Sequence, residues 1–193
     1  MKDAILRKAR ESAEVKEAFF RADADRIEAL ARAMAAAFER GGRLYVMGNG
    51  GGATDAQHVA VEFCHPIIEK RKALPAVALT CDGATLTAIG NDTDFSRVFV
   101  DQLELLARPP DAVLGISSSG ASANVNRALK RAREMGLLTI GFSGRDGGRM
   151  VDACDHSFVV KSWSIHRIQE TQTLLLHLFW DQLHVAMGED DVL

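Results

Sequence analysis

Apolar positions follow two rhythms along this chain. Over residues 2–20 they recur at helical spacing, as Ile5, Leu6, Ala9, Ala13, Val15, Phe19 and Phe20 with charges between them. A second helical stretch carries Ile27, Leu30, Ala31, Met34 and Phe38 on one face. Asp23 or Asp25 is placed to cap it, and Gly41-Gly42 ends it. From residue 44 the rhythm changes to short unbroken apolar runs at 44–47, 75–79, 112–116, 138–142 and 158–160. Helical stretches separate these runs: one from Ala53, a short one within 80–92, then 95–106, 123–134 and a long final one over 166–186. Strand runs that lack polar alternation and are spaced by helices predict a parallel sheet covered on both faces. The expectation is an α/β fold, a five-stranded parallel sheet flanked by helices and preceded by two N-terminal helices. Those leading helices exceed what a small sheet needs, so their surplus apolar faces either pack subunits together or cover the sheet.

In such sheets ligands bind beyond the carboxyl ends of the strands, and two turns there are unusual. The first, Gly48-Asn49-Gly50-Gly51-Gly52, joins a strand to a helix, leaving free backbone N–H groups for a polar or anionic group. It is neither a dinucleotide fingerprint, since Ala53 stands where the third glycine belongs, nor a Walker loop, which needs Gly-Lys-Ser/Thr. His58 and Glu62 follow at i, i+4, on one helix face. The second turn, Ser117-Ser118-Ser119-Gly120-Ala121-Ser122, sets four hydroxyls at the start of a helix. Capping needs one hydroxyl; the surplus suits a phosphate, ringed by hydroxyls and N–H groups and helped by the helix macrodipole. No Gly-x-Ser-x-Gly elbow accompanies it. In the last helix His177 lies within the apolar run from Leu174 to Leu183, and by itself reads as a core histidine.

A length of 193 residues suits one domain with a full core. A net charge of −3 gives no electrostatic case for binding nucleic acid. The charged N-terminus is unlike a secretory signal, and no run reaches the ~18 apolar residues of a membrane span. Cys64, Cys81 and Cys154 are widely spaced and read as reduced core thiols of a cytosolic protein.

Taken together, the motifs resemble the sugar isomerase (SIS) domain family, and within it the phosphoheptose isomerases. The matching pieces are GNGG at 48–51, DAQH at 55–58 with Glu62, LPAVALT at 74–80, LTAIGND at 86–92, GISSSGASANV at 115–125, GFSGRDGG at 141–148, and RIQE at 167–170 with His177. The resemblance implies a single SIS domain of flavodoxin-like type, its first 40 or so residues serving oligomerisation. It implies a cytoplasmic homotetramer with active sites between subunits. It implies an aldose–ketose isomerase that converts sedoheptulose 7-phosphate to D-glycero-D-manno-heptose 7-phosphate through an enediol. The substrate would meet Asn49, Gly50, Gly51, Asn91, Asp92 and Gln169, with its phosphate on Ser117, Ser118, Ser119 and Ser122. One zinc ion per subunit would be held by His58, Glu62, Gln169 and His177, with Glu62 and His177 moving the protons.

The chemistry suits these residues. Moving a proton between C1 and C2 needs a base for carbon and an acid for oxygen, and zinc could polarise the carbonyl. A zinc-bound carboxylate is a weaker base, so Glu62 either changes its coordination or serves mainly as base. Gln169 and His177 are eight residues apart, about 12 Å along a helix. They reach one metal only by leaning together or by acting in neighbouring subunits; the expectation is a shared site. Two departures from the family pattern bear on recognition: Gly52 replaces a common serine, and Cys64-His65-Pro66 replaces a segment that often carries an arginine, leaving Lys70, Arg71 and Lys72 as the nearby cations. The competing readings are a non-catalytic SIS protein that binds the DnaA replication initiator, which typically lacks the glutamate at position 62, and an isomerase or sensor for another phosphosugar.

Overall fold

One helix, not two, leads into the sheet. The computed structural model describes residues 1–67 and 71–191, and α1 runs unbroken over Lys2–Glu39. No glycine or proline interrupts that stretch. Asp23 caps nothing: it is buried, its carboxylate paired with the Arg26 guanidinium, which also donates to the Ser157 carbonyl and lies over the Phe158 ring. The supposed break therefore fastens α1 to the last strand. The helix ends where Gly41 adopts φ +84° and the Gly41 and Gly42 N–H groups close on the carbonyls of Phe38 and Ala37.

Five strands follow: β1 (Leu44–Gly48), β2 (Ala76–Ala78), β3 (Ala112–Ser117), β4 (Leu138–Gly144) and β5 (His156–Val160). They form one parallel sheet in the order β2-β1-β3-β4-β5, as the apolar runs imply. Between them lie α2 (Gly51–Cys64), α3 (Gly83–Asp92), α4 (Val100–Leu106), α5 (Ala123–Glu134) and α6 (Met150–Ala153), with α7 (Ile165–Ala186) last. The helix expected over 95–106 is split into a 3₁₀ turn (Phe95–Arg97) and α4. Val46, Leu114 and Ile140 face a core built with α1, α2 and α7. Tyr45, Met47 and Val113 face a second core built with α4, α5 and α6. The sheet is thus the middle of three layers. β1 and β3 pair side by side, and the chain leaves them toward opposite faces, which makes their carboxyl ends the switch point where a ligand crevice opens.

Arg71 is internal. Its guanidinium bonds the Asp181 carboxylate at 2.6 Å and stacks on Trp180, joining the chain after α2 to the end of α7. It is therefore no substitute for a substrate-reaching arginine. Lys72 is exposed, and Lys70 falls outside the described residues. Of the three thiols only Cys154 is in the core, where burial pushes its pKa up to about 12; Cys64 and Cys81 are exposed rather than buried. Among the described residues no helix is long and apolar enough to cross a membrane.

Arg71→Met strands the buried Asp181 charge and is expected to lower unfolding stability by about 3–5 kcal/mol, whereas adding Asp181→Leu restores most of the loss. Urea denaturation of both variants measures this; a double variant as unstable as the single one counts against the pairing.

Candidate functional site

The glycine and serine turns leave neighbouring strands level with each other, since Gly48 pairs with Ile116 and β3 carries on to Ser117. A reciprocal amide pair locks them together. Asn49 donates to Asn124 Oδ1 and Asn124 donates to Asn49 Oδ1, both at 2.8 Å. Gly50 takes φ +54° at the tip of the first turn, a backbone state that favours glycine. Gly51 has a different reason to be glycine: a Cβ there would stand 2.7 Å from Gln169 Nε2. The turn is thus pressed against the start of α7.

In the serine turn Ser117 Oγ lies 2.9 Å from Ser122 Oγ and 3.5 Å from Ser119 Oγ. Ser122 occupies the N-cap position of α5 yet makes no side-chain cap bond. Ser119 Oγ accepts from the Ala121 N–H, while Ser117 and Ser122 face each other at the cavity wall rather than the helix end. Gly120, at φ +63°, lies so close to the turn after β4 that an added Cβ would come 2.0 Å from the Gly147 carbonyl oxygen. That second glycine turn buttresses the serine turn from behind. A cavity of about 70 Å³ lies between the two turns, walled by Asn49, Gly52, the serines and, from α7, Gln169 and Gln172. No cation lines it. Anion affinity must come from hydroxyls, amides and the N-termini of α2 and α5.

Further along α2, His58 Nε2 sits 3.3 Å from Glu62 Oε1 and 3.3 Å from His177 Nε2. One ligand atom from each of the three lies within 4.8 Å of the other two. Zinc bonds of about 2.0–2.1 Å make a tetrahedron with edges of about 3.3–3.4 Å, so the two spacings from His58, like the donor set, fit the ion. His177 is exposed rather than a core histidine. Asp55, one turn before His58, has its carboxyl pKa raised by burial, with His58 opposing the rise.

The remaining expected residues lie elsewhere. Gln169 borders Gly51, about 10 Å down the α2 axis from His58, so three of the four expected metal ligands meet in this chain and the fourth stands apart. Asn91 and Asp92 end α3, exposed and bonded to each other. They do not line the cavity.

Strands of this order, a serine-ringed cavity at the switch point and a His–Glu–His cluster beside it define a SIS-domain α/β protein, and the SIS domain family model matches residues 9–144. The phosphoheptose isomerase of Desulfovibrio desulfuricans is 47% identical over 91% of this chain and 84% of its own. That of Aquifex aeolicus is 43% identical over 93% of this chain and 94% of its own. The solved phosphoheptose isomerase of Neisseria gonorrhoeae superposes with a TM-score of 0.88 at 36% identity, covering 94% of this chain and 97% of that one. The chain belongs to the phosphoheptose isomerase family, and it is an aldose–ketose isomerase.

Two participants escaped the sequence reading. Asn124 lies inside the GISSSGASANV motif, but nothing in the motif reveals that it pairs across 75 residues with Asn49. Gln172 stands three residues after Gln169, a spacing that puts both on one helix face. Gly51→Ala should fold at least as well as the parent, since alanine suits a helix start and the opposing atom is the end of a flexible side chain. It is expected to lower turnover about 10- to 100-fold by displacing Gln169. A melting curve and an isomerase assay on one preparation check both halves.

Proposed function

We propose that this site converts sedoheptulose 7-phosphate to D-glycero-D-manno-heptose 7-phosphate, with the phosphate in the serine-ringed cavity and the C1–C2 end at the His58–Glu62–His177 cluster. The observation that carries the reading is that cluster, a carboxylate and two imidazoles converging about 10 Å along α2 from an uncharged oxyanion pocket. That separation suits a seven-carbon chain with phosphate at one end and carbonyl near the other. Glu62 takes a proton from C1 while His177 gives one to the C2 oxygen, leaving a cis-enediol. Loss of the O1 proton and return of a proton to C2 then give the aldose. Oε1 of Glu62 faces His58, which leaves Oε2 for the carbon proton.

His58, Glu62 and His177 would hold a zinc ion, with Gln169 as fourth ligand. When bound it would polarise the carbonyl and ease formation of the enediol. Because Gln169 stands apart from the other three, we assign it to the cluster of a neighbouring chain, in a homotetramer with active sites between subunits. Asn91 and Asp92, exposed and outside their own chain's cavity, belong to that shared surface. The first half of α1 supports such an assembly: Ile5 and Leu6 are exposed, while Ser12 and the Lys8 carbonyl bond Glu170 and Arg167 at the start of α7. We take the enzyme to be cytoplasmic, which the free thiols support.

Glu62→Gln and His177→Ala should each abolish isomerisation with the fold retained. Chelation should remove most wild-type activity and added zinc restore it. The assay follows aldose formation from sedoheptulose 7-phosphate; normal turnover by folded Glu62→Gln overturns the base assignment. Co-expressed Gln169→Ala and His177→Ala chains, each inactive alone, should regain activity by forming some complete sites between them. No recovery in a mixed oligomer places all four ligands in one chain.

A further inference from the structure

Gln172 is 3% exposed, its Nε2 has no hydrogen-bond partner among the described residues, and its side chain lines the cavity between the two turns. A buried amide nitrogen left unpaired costs stability, so such groups are rare in folded proteins and need a reason. Of the neighbouring amides, the Asn49 nitrogen is held by Asn124, and Gln169 lines the same cavity with its nitrogen against Gly51. No cation among the described residues lines the cavity, so each neutral donor matters to an anion. A terminal amide can turn end for end about its last bond, and it presents nitrogen when the cavity holds only acceptors.

We propose that Gln172 is a binding residue for the substrate's phosphate, its side-chain N–H donating to a phosphate oxygen from the α7 side, opposite the serine hydroxyls. This rests on the assignment of the cavity to the phosphate. It explains why an unpaired amide is kept at the cavity wall, where an apolar side chain of similar length would fill the space without the cost. The contact is the same for substrate and product, so it acts on binding and leaves the proton transfers to Glu62 and His177.

The test uses inorganic phosphate and the full-length enzyme. Titration calorimetry compares wild type, Gln172→Met and Ser122→Ala, and steady-state kinetics on sedoheptulose 7-phosphate accompany it. Gln172→Met is expected to weaken phosphate binding about 10- to 100-fold, the loss of one hydrogen bond to a charged group, and to raise KM with kcat nearly unchanged. A packing role would instead leave phosphate affinity unchanged or lower kcat, and either result overturns the proposal. Ser122→Ala separates the two levels of inference. If it weakens phosphate while Gln172→Met does not, only the Gln172 contact fails; if neither does, the phosphate pocket itself is misplaced. A structure of the unmodified enzyme with inorganic phosphate decides the matter should Gln172→Met fail to fold. Gln172 Nε2 within about 3.2 Å of a phosphate oxygen upholds the contact, and phosphate on the serines with that nitrogen turned away refutes it.

Discussion

Two asparagines on separate strand-to-helix turns exchange both of their amide hydrogen bonds, and the site depends on that exchange. Asn49 directly follows β1 and Asn124 lies in the first turn of α5. The β1–β3 register brings the turns level, but register alone does not stop two loops from parting at their tips. The paired amides do, and Asn124 is held in turn by the backbone N–H of Val125. Because α2 packs on one face of the sheet and α5 on the other, the pair draws two helix N-termini from opposite layers onto one cavity. The positive ends of both macrodipoles then meet where no side chain of the described residues carries a positive charge.

The second requirement is that α7 lie at a fixed height against α2. Three contacts set it. At its start, Ile168 fills the space over Gly144, where a Cβ would come 2.5 Å from the isoleucine side chain. In the middle, His177 meets His58. Near its end, Asp181 is held by Arg71. Both helices run in the same direction along this contact, Gln169 opposite Gly51 and His177 opposite His58. The proposed phosphate pocket and the proposed proton-transfer cluster are thereby placed on one two-helix frame, whose single rigid separation would serve a chain-like substrate reacting at one end and anchored at the other.

Much of this was legible in the residues. Unbroken apolar runs located all five strands, and the surplus of serines at 117–122, more than capping could use, marked the turn that lines the cavity. The i, i+4 spacing placed His58 beside Glu62. Other features were hidden for physical reasons. Asp23 resembled a helix cap, but an aspartate amid good helix formers can turn inward when Arg26 neutralises it, and no local signal announces that partner. His177 looked like core because its neighbours in sequence are leucines; only the packing of α7 on α2 shows that it faces outward. Cys64 and Cys81 were misjudged because burial of a small thiol is decided by the elements it borders, not by its own pattern. The Asn49–Asn124 pair joins residues far apart in sequence, which no periodicity encodes.

The proposed phosphate pocket, which no cation lines among the described residues, suits the task. Substrate and product of an aldose–ketose isomerisation carry the same phosphate, so binding gained there is uniform along the reaction and does not lower the barrier by itself. A lysine or arginine in the cavity would hold both ends of the reaction more tightly and slow release. Hydroxyls, amides and helix N-termini give direction with less net attraction, and direction is what the distant carbon needs. In the proposed arrangement the titratable groups that cluster together, His58, Glu62 and His177, serve the end where the charge changes during reaction, and there an interaction can strengthen in the transition state. The division between a neutral anchor and a charged reaction centre is thus written into which residues each turn and helix supplies.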